Sequence, residues 1–116
     1  MAKGAGSDEL PLLKGTLDLL VLKSLGFGPA HGYGIASWLE QRSGGAIGVD
    51  DSALYQALQR LEAKGLVDAE WGLTDTNRRA RFYRLTAAGK RRYRDDARVW
   101  SRYAESVSSI LALTER

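Results

Sequence analysis

Two short stretches carry side chains able to make specific contacts with a ligand. In the first, Tyr55, Gln56, Gln59 and Arg60 fall within one short segment. At helical spacing they share a face made of amides, one aromatic hydroxyl and one base. Glutamine amides can pair with nucleic-acid base edges, Arg60 with guanine or a phosphate, and Tyr55 with a phosphate oxygen. An ordinary solvated helix can carry a similar face. The second stretch holds Asn77, Arg78, Arg79 and Arg81. Arginines clustered in a polar loop can neutralise phosphates or enter a minor groove, and binding of that kind is steeply salt-dependent.

Other chemistries find few residues to use. The chain has no Cys and a single histidine, His31. Thiolate ligands, disulfides and His-rich metal sites are therefore excluded, and no cofactor is called for. His31 precedes a helix in a Gly-Pro turn, where capping is the expected role. Gly26-Phe27-Gly28 with Gly32 misses nucleotide-loop spacing and follows a helix instead of a strand. Catalysis is not expected.

The elements that must position these residues follow from periodicity. Leu17, Leu20, Val21 and Leu25 repeat as in a helix over Thr16–Leu25. A second helix opens after Gly32 and stops at Gly44–Gly45, and Ile47–Val49 has the composition of a minimal strand. Asp50, Asp51 and Ser52 are candidate caps for a third helix over 53–64, whose apolar stripe is Leu54, Ala57, Leu58 and Leu61. The period then falls to two. Val67, Ala69 and Trp71 predict one half-buried strand and Tyr83 with Leu85 another, joined by a basic loop over Gly72–Ala80.

Thr86 is placed to cap a long last helix. Tyr93, Trp100, Val107 and Thr114 recur every seven residues, with Ala97, Tyr103, Ala104, Ile110 and Leu111 beside them. So small a domain cannot cover that stripe, which predicts pairing with the same helix of a second chain. Trp100 has two readings there: an interface anchor, or the wall of a pocket for a planar hydrophobic ligand. Lys90, Arg91, Arg92 and Arg94 read as a solvated face.

The expected fold is mainly α with a small β-hairpin: a winged helix-turn-helix plus a long C-terminal dimerisation helix. Residues 1–9 read as a tail, 10–86 as the DNA-binding domain and 87–116 as the dimerisation helix. Charge is unevenly distributed along the chain. Residues 1–72 carry 6 Lys/Arg against 9 Asp/Glu, and residues 73–116 carry 11 against 5, so the basic surface lies in the second half. No run is long enough to span a membrane and no signal peptide is evident, which predicts a cytoplasmic protein.

The motifs resemble those of the PadR-like transcriptional regulators. The carriers are Gly15-Thr16-Leu17-Asp18-Leu19-Leu20, His31-Gly32-Tyr33-Gly34-Ile35, Leu54-Tyr55 with Ala57-Leu58, Arg60-Leu61-Glu62 with Gly65-Leu66, and the run Asn77–Gly89. Together they cover roughly 12–90, and the single long helix after them resembles the short subtype of the family. The resemblance implies a homodimeric repressor on pseudo-palindromic double-stranded operators, released by a small effector. It implies DNA roles for Lys14, Tyr33, the helix 53–64 and the hairpin, and a ligand cavity between paired C-terminal helices at Trp100. Ala53 stands where the family often has Ser or Thr, and Gln56 where it often has Pro. Ser52 is the hydroxyl available to replace the first. Rival uses are a ligand sensor with an aromatic pocket at the dimer interface, and a winged helix used for protein–protein contact.

Overall fold

The computed structural model describes residues 15–116; Lys14 and the 1–9 tail lie outside the described residues. Three helices come first: α1 (Thr16–Leu25), α2 (Gly32–Arg42) and α3 (Asp51–Ala63). Each buries one stripe. Val21, Leu22 and Leu25 of α1 meet Ile35 and Leu39 of α2 and Leu54, Leu58 and Leu61 of α3 in a single core. The starts of α2 and α3 are capped by side chains. His31 Nδ1 accepts the Gly34 N–H at 3.1 Å, and Asp50 Oδ2 accepts the Ala53 N–H at 3.1 Å. Asp50 is thus the cap, and α3 begins two residues earlier than the periodicity predicts, with Ser52 in its first turn.

After α3 the chain reverses at Gly65, whose φ of +75° is easy only for glycine. Strands β1 (Val67–Leu73) and β2 (Arg79–Leu85) then pair antiparallel, from Val67 opposite Leu85 to Leu73 opposite Arg79. The expected loop over 72–80 is therefore shorter. Pairing runs on through Gly72–Ala80, leaving a tight turn in which Thr74 and Arg78 are bonded and Asn77 takes a φ of +66°. Of the four side chains expected in the loop, Asn77 and Arg78 sit in that turn, while Arg79 and Arg81 are strand residues. No strand forms over 47–49. Ala30 takes the open edge of the hairpin instead, exchanging two backbone hydrogen bonds with Tyr83 at 3.0 and 2.8 Å. The expected inward alternation of β1 also fails at its far end. Val67 is buried, but Trp71 is 58% exposed because the hairpin has by then passed the edge of the core.

Helix α4 (Ala87–Leu111) starts on Thr86. The Thr86 Oγ1 accepts the Gly89 N–H at 3.0 Å and donates to the Gly65 carbonyl at 2.7 Å, while Thr86 N–H donates to the Leu66 carbonyl. One side chain thus ties the α4 start to the α3–β1 turn. Thr86→Ala should cost about 1–2 kcal/mol, the upper range of a cap loss, because two bonds go together. Urea unfolding should show it as a lower midpoint with unchanged slope. Ala88 and Tyr93 pack on the core, so packing crosses the 86/87 element boundary. The helix ends at Leu111, short of Thr114.

Candidate nucleic-acid interface

The exposed side of α3 faces away from Leu54, Ala57, Leu58 and Leu61. Tyr55, Gln56, Gln59 and Arg60 are all exposed there, as the spacing requires, and the earlier start of α3 adds Ser52 to them. The start of α3, the start of α2 and the hairpin enclose an open cleft of about 840 Å³. Its walls include Tyr33, Tyr55, Trp71, Arg78, Arg79 and Arg81. Tyr33 stands well out of the surface, stacked on His31 with ring centroids 6.5 Å apart. The His31 ring meets Phe82 edge-on at 5.2 Å, so the capping histidine also braces the cleft floor. Tyr83 lies behind it, its hydroxyl held above the usual pKa range chiefly by burial.

The arginines are held differently. Arg79 lies over the Trp71 ring at 4.7 Å, a cross-strand diagonal contact that holds the cation beside the wing. Arg81 reaches back to Glu62 of α3 at 3.0 Å and over Tyr83 at 5.7 Å. Arg78 stands in the turn, and among the described residues neither it nor Arg79 pairs with a carboxylate. Arg60 does not join this group. Its Nη2 and Nε both donate to the Asp18 carboxylate of α1, at 2.7 and 3.4 Å, and that bond and charge raise its pKa further.

Trp71 and His31 are therefore part of the cleft although the sequence gives them other roles, in the core face of a strand and in a turn. The diagonal offset between Trp71 and Arg79 was the available signal, and it needs the hairpin register to be used. On α4, Tyr93 is spent within its own chain, accepting a hydrogen bond from Lys23 Nζ at 3.0 Å. Trp100, Tyr103, Val107, Ile110 and Leu111 remain exposed, with Ala97 and Ala104 half-buried. Trp100 lines neither the wing cleft nor a smaller hollow beside Tyr93. Arg92 and Arg98 pair with Asp96 and Asp95 on the same helix.

Three helices, a two-stranded wing and an exposed third helix beside it define a winged helix-turn-helix DNA-binding protein. The chain belongs to the PadR-like family of transcriptional regulators, whose model matches residues 21–95. It is a regulator, not an enzyme. It is similar to a PadR family transcriptional regulator from Eggerthella lenta, whose crystal structure is 31% identical with a TM-score of 0.73 over 87% of this chain and 86% of that one. An uncharacterized protein of Lysinibacillus sphaericus is 25% identical over 86% of this chain and 92% of its own length. A 37.1 kDa protein in a Streptomyces fradiae transposon is 39% identical over 77% of this chain, but the match spans only 24% of that longer protein. No helix among the described residues is long and apolar enough to cross a membrane.

Proposed function

We propose that the chain acts in the cytoplasm as a homodimeric repressor on pseudo-palindromic DNA. Helix α3 enters the major groove through Ser52, Gln56 and Gln59, and Tyr33 and Tyr55 donate to phosphates beside it. Asn77, Arg78, Arg79 and Arg81 lie along the adjoining backbone or minor groove, and Lys14 adds a further phosphate contact. The α4 stripe pairs two copies. The observation that carries this reading is the wing cleft, which sets exposed tyrosines and wing arginines beside an exposed α3. A mobility shift on DNA from the region upstream of its own gene tests it. Absence of a shift at every salt concentration would favour a winged helix used for protein–protein contact.

Arg78→Ala and Arg79→Ala should each weaken operator and random DNA alike. With one phosphate fewer neutralised, the plot of log affinity against log salt should flatten by about 0.9. Weakening confined to the operator would assign these arginines to base readout instead.

Release by a small planar effector is the second part of the proposal, supported by Trp100 standing exposed on the stripe that would face a partner. Planar hydrophobic compounds should quench the intrinsic fluorescence of the dimer saturably, and Trp100→Ala should remove the tight component. Quenching that survives the substitution would place the ligand elsewhere, since Trp38 and Trp71 also report.

A further inference from the structure

The outer ridge of α3 is uncharged. Ser52, Gln56, Gln59 and Ala63 succeed one another at spacings of four, three and four, which puts them in one row. All four are exposed, directly opposite the buried Leu54, Ala57, Leu58 and Leu61. Two of the ionised side chains beside the row are drawn off to its flanks, while Asp51 and Lys64 stand exposed at its ends. Arg60 is held by Asp18 of α1, and Glu62 by Arg81 of β2.

We infer that α3 reads its operator through the neutral ridge, with Gln56 and Gln59 recognising adenines, and that Asp18 is a positioning residue that withholds Arg60 from guanine. This rests on the DNA-binding reading above and specifies which bases it recognises.

The donor and acceptor patterns decide the base. Adenine offers an acceptor at N7 and a donor at N6, which a glutamine amide matches with its NH₂ and its carbonyl oxygen. Guanine offers two acceptors, N7 and O6, which suit arginine and would leave the glutamine carbonyl facing another acceptor. The Ala63 methyl fits the thymine methyl further along the row. Arg60 is the α3 side chain built for guanine, and both nitrogens that reach Asp18 would have to leave it. Asp18 would then present an unpaired carboxylate beside a polyanion, so the pair resists opening in the one setting where opening would matter. Cationic attraction is left to residues outside the row, the wing arginines foremost.

The test begins with operator selection from random duplexes by the full-length chain, followed by 7-deaza substitution of single purines, which removes N7 alone. Substituting 7-deazaadenine at one or more positions per half-site should weaken binding about tenfold, within the range of one specific base contact. Substituting 7-deazaguanine at any position should change it less than about twofold. In Gln56→Ala or Gln59→Ala the corresponding adenine should lose its sensitivity. Arg60→Ala should keep the ratio of operator to random affinity. Asp18→Asn should lower that ratio and steepen the salt dependence by about 0.9, one more phosphate neutralised, and the double variant should return to the wild-type slope. Circular dichroism of each variant separates these effects from unfolding. A guanine whose N7 matters in the wild type but not in Arg60→Ala would overturn the inference, as would an unchanged slope in folded Asp18→Asn. If the wild-type chain enriches no sequence, the regulator reading itself fails, a different result from either.

Discussion

A chain carrying Val107→Asp and Ile110→Asp should sediment as a monomer and bind its operator a hundredfold or more weakly than the parent. Residues 98–111 are exposed apart from half-buried Ala104, yet Trp100, Tyr103, Val107, Ile110 and Leu111 line one side of that segment. Rings and branched side chains face water in a row along a helix about 37 Å long, at 1.5 Å per residue, and in the proposed dimer the same helix of the second copy would cover them. Four carboxylates, two from each copy, would be desolvated in that seam, a cost that opposes pairing strongly. The DNA effect follows from linkage. Two modules held together bind two half-sites with an effective concentration that single modules lack, worth about 10²–10⁴ in affinity. Neither substitution touches the core, so the circular dichroism spectrum should be unchanged. A dimer of undiminished affinity would show that the stripe is not the seam.

The second large effect is on stability. Gly89→Ala should destabilise the fold by about 3 kcal/mol or more, lowering Tm by roughly 10–20 °C for a domain of this size. A Cβ at Gly89 would be driven onto the Leu66 carbonyl oxygen and would stand 3.2 Å from Leu85 Cδ2. The carbonyl is backbone and cannot rotate away, because it also accepts the Thr86 N–H. Gly44→Ala is the matched control. Gly44 has a φ of +64° but open space where its Cβ would go, so only the left-handed backbone cost of about 1–2 kcal/mol applies. Thermal unfolding of the two variants separates the mechanisms; equal destabilisation would show that close packing at Gly89 is unimportant.

Much of the architecture was legible because it depends on local pattern. The stripe Leu54–Ala57–Leu58–Leu61 is helical in spacing and buried in the structure, and Thr86 caps α4 as its type and position predict. What could not be read were outcomes of pairing and of where the core ends. Val67 and Trp71 alternate in the same phase, but one is covered by the helices and the other is beyond them. Arg79 and Arg81 look like loop residues until the register carries the strands past Gly72 and Ala80. Ile47–Val49 has strand composition, yet the open hairpin edge is taken by Ala30. Arg60 and Asp18 are 42 residues apart, and no local rule pairs them.

Three short amphipathic helices, a basic hairpin and a long helix with an uncovered stripe are all readable from the chain's residues alone, since each follows from period, caps and charge over a few positions. The same local rules put Tyr55, Gln56 and Gln59 on the outward side of α3. Which of the neighbouring cations remain available is settled only when distant segments meet. Ion pairs and ring contacts need side chains brought together from different elements, and here they withdraw Arg60 and Glu62 to the flanks and lay Arg79 along Trp71.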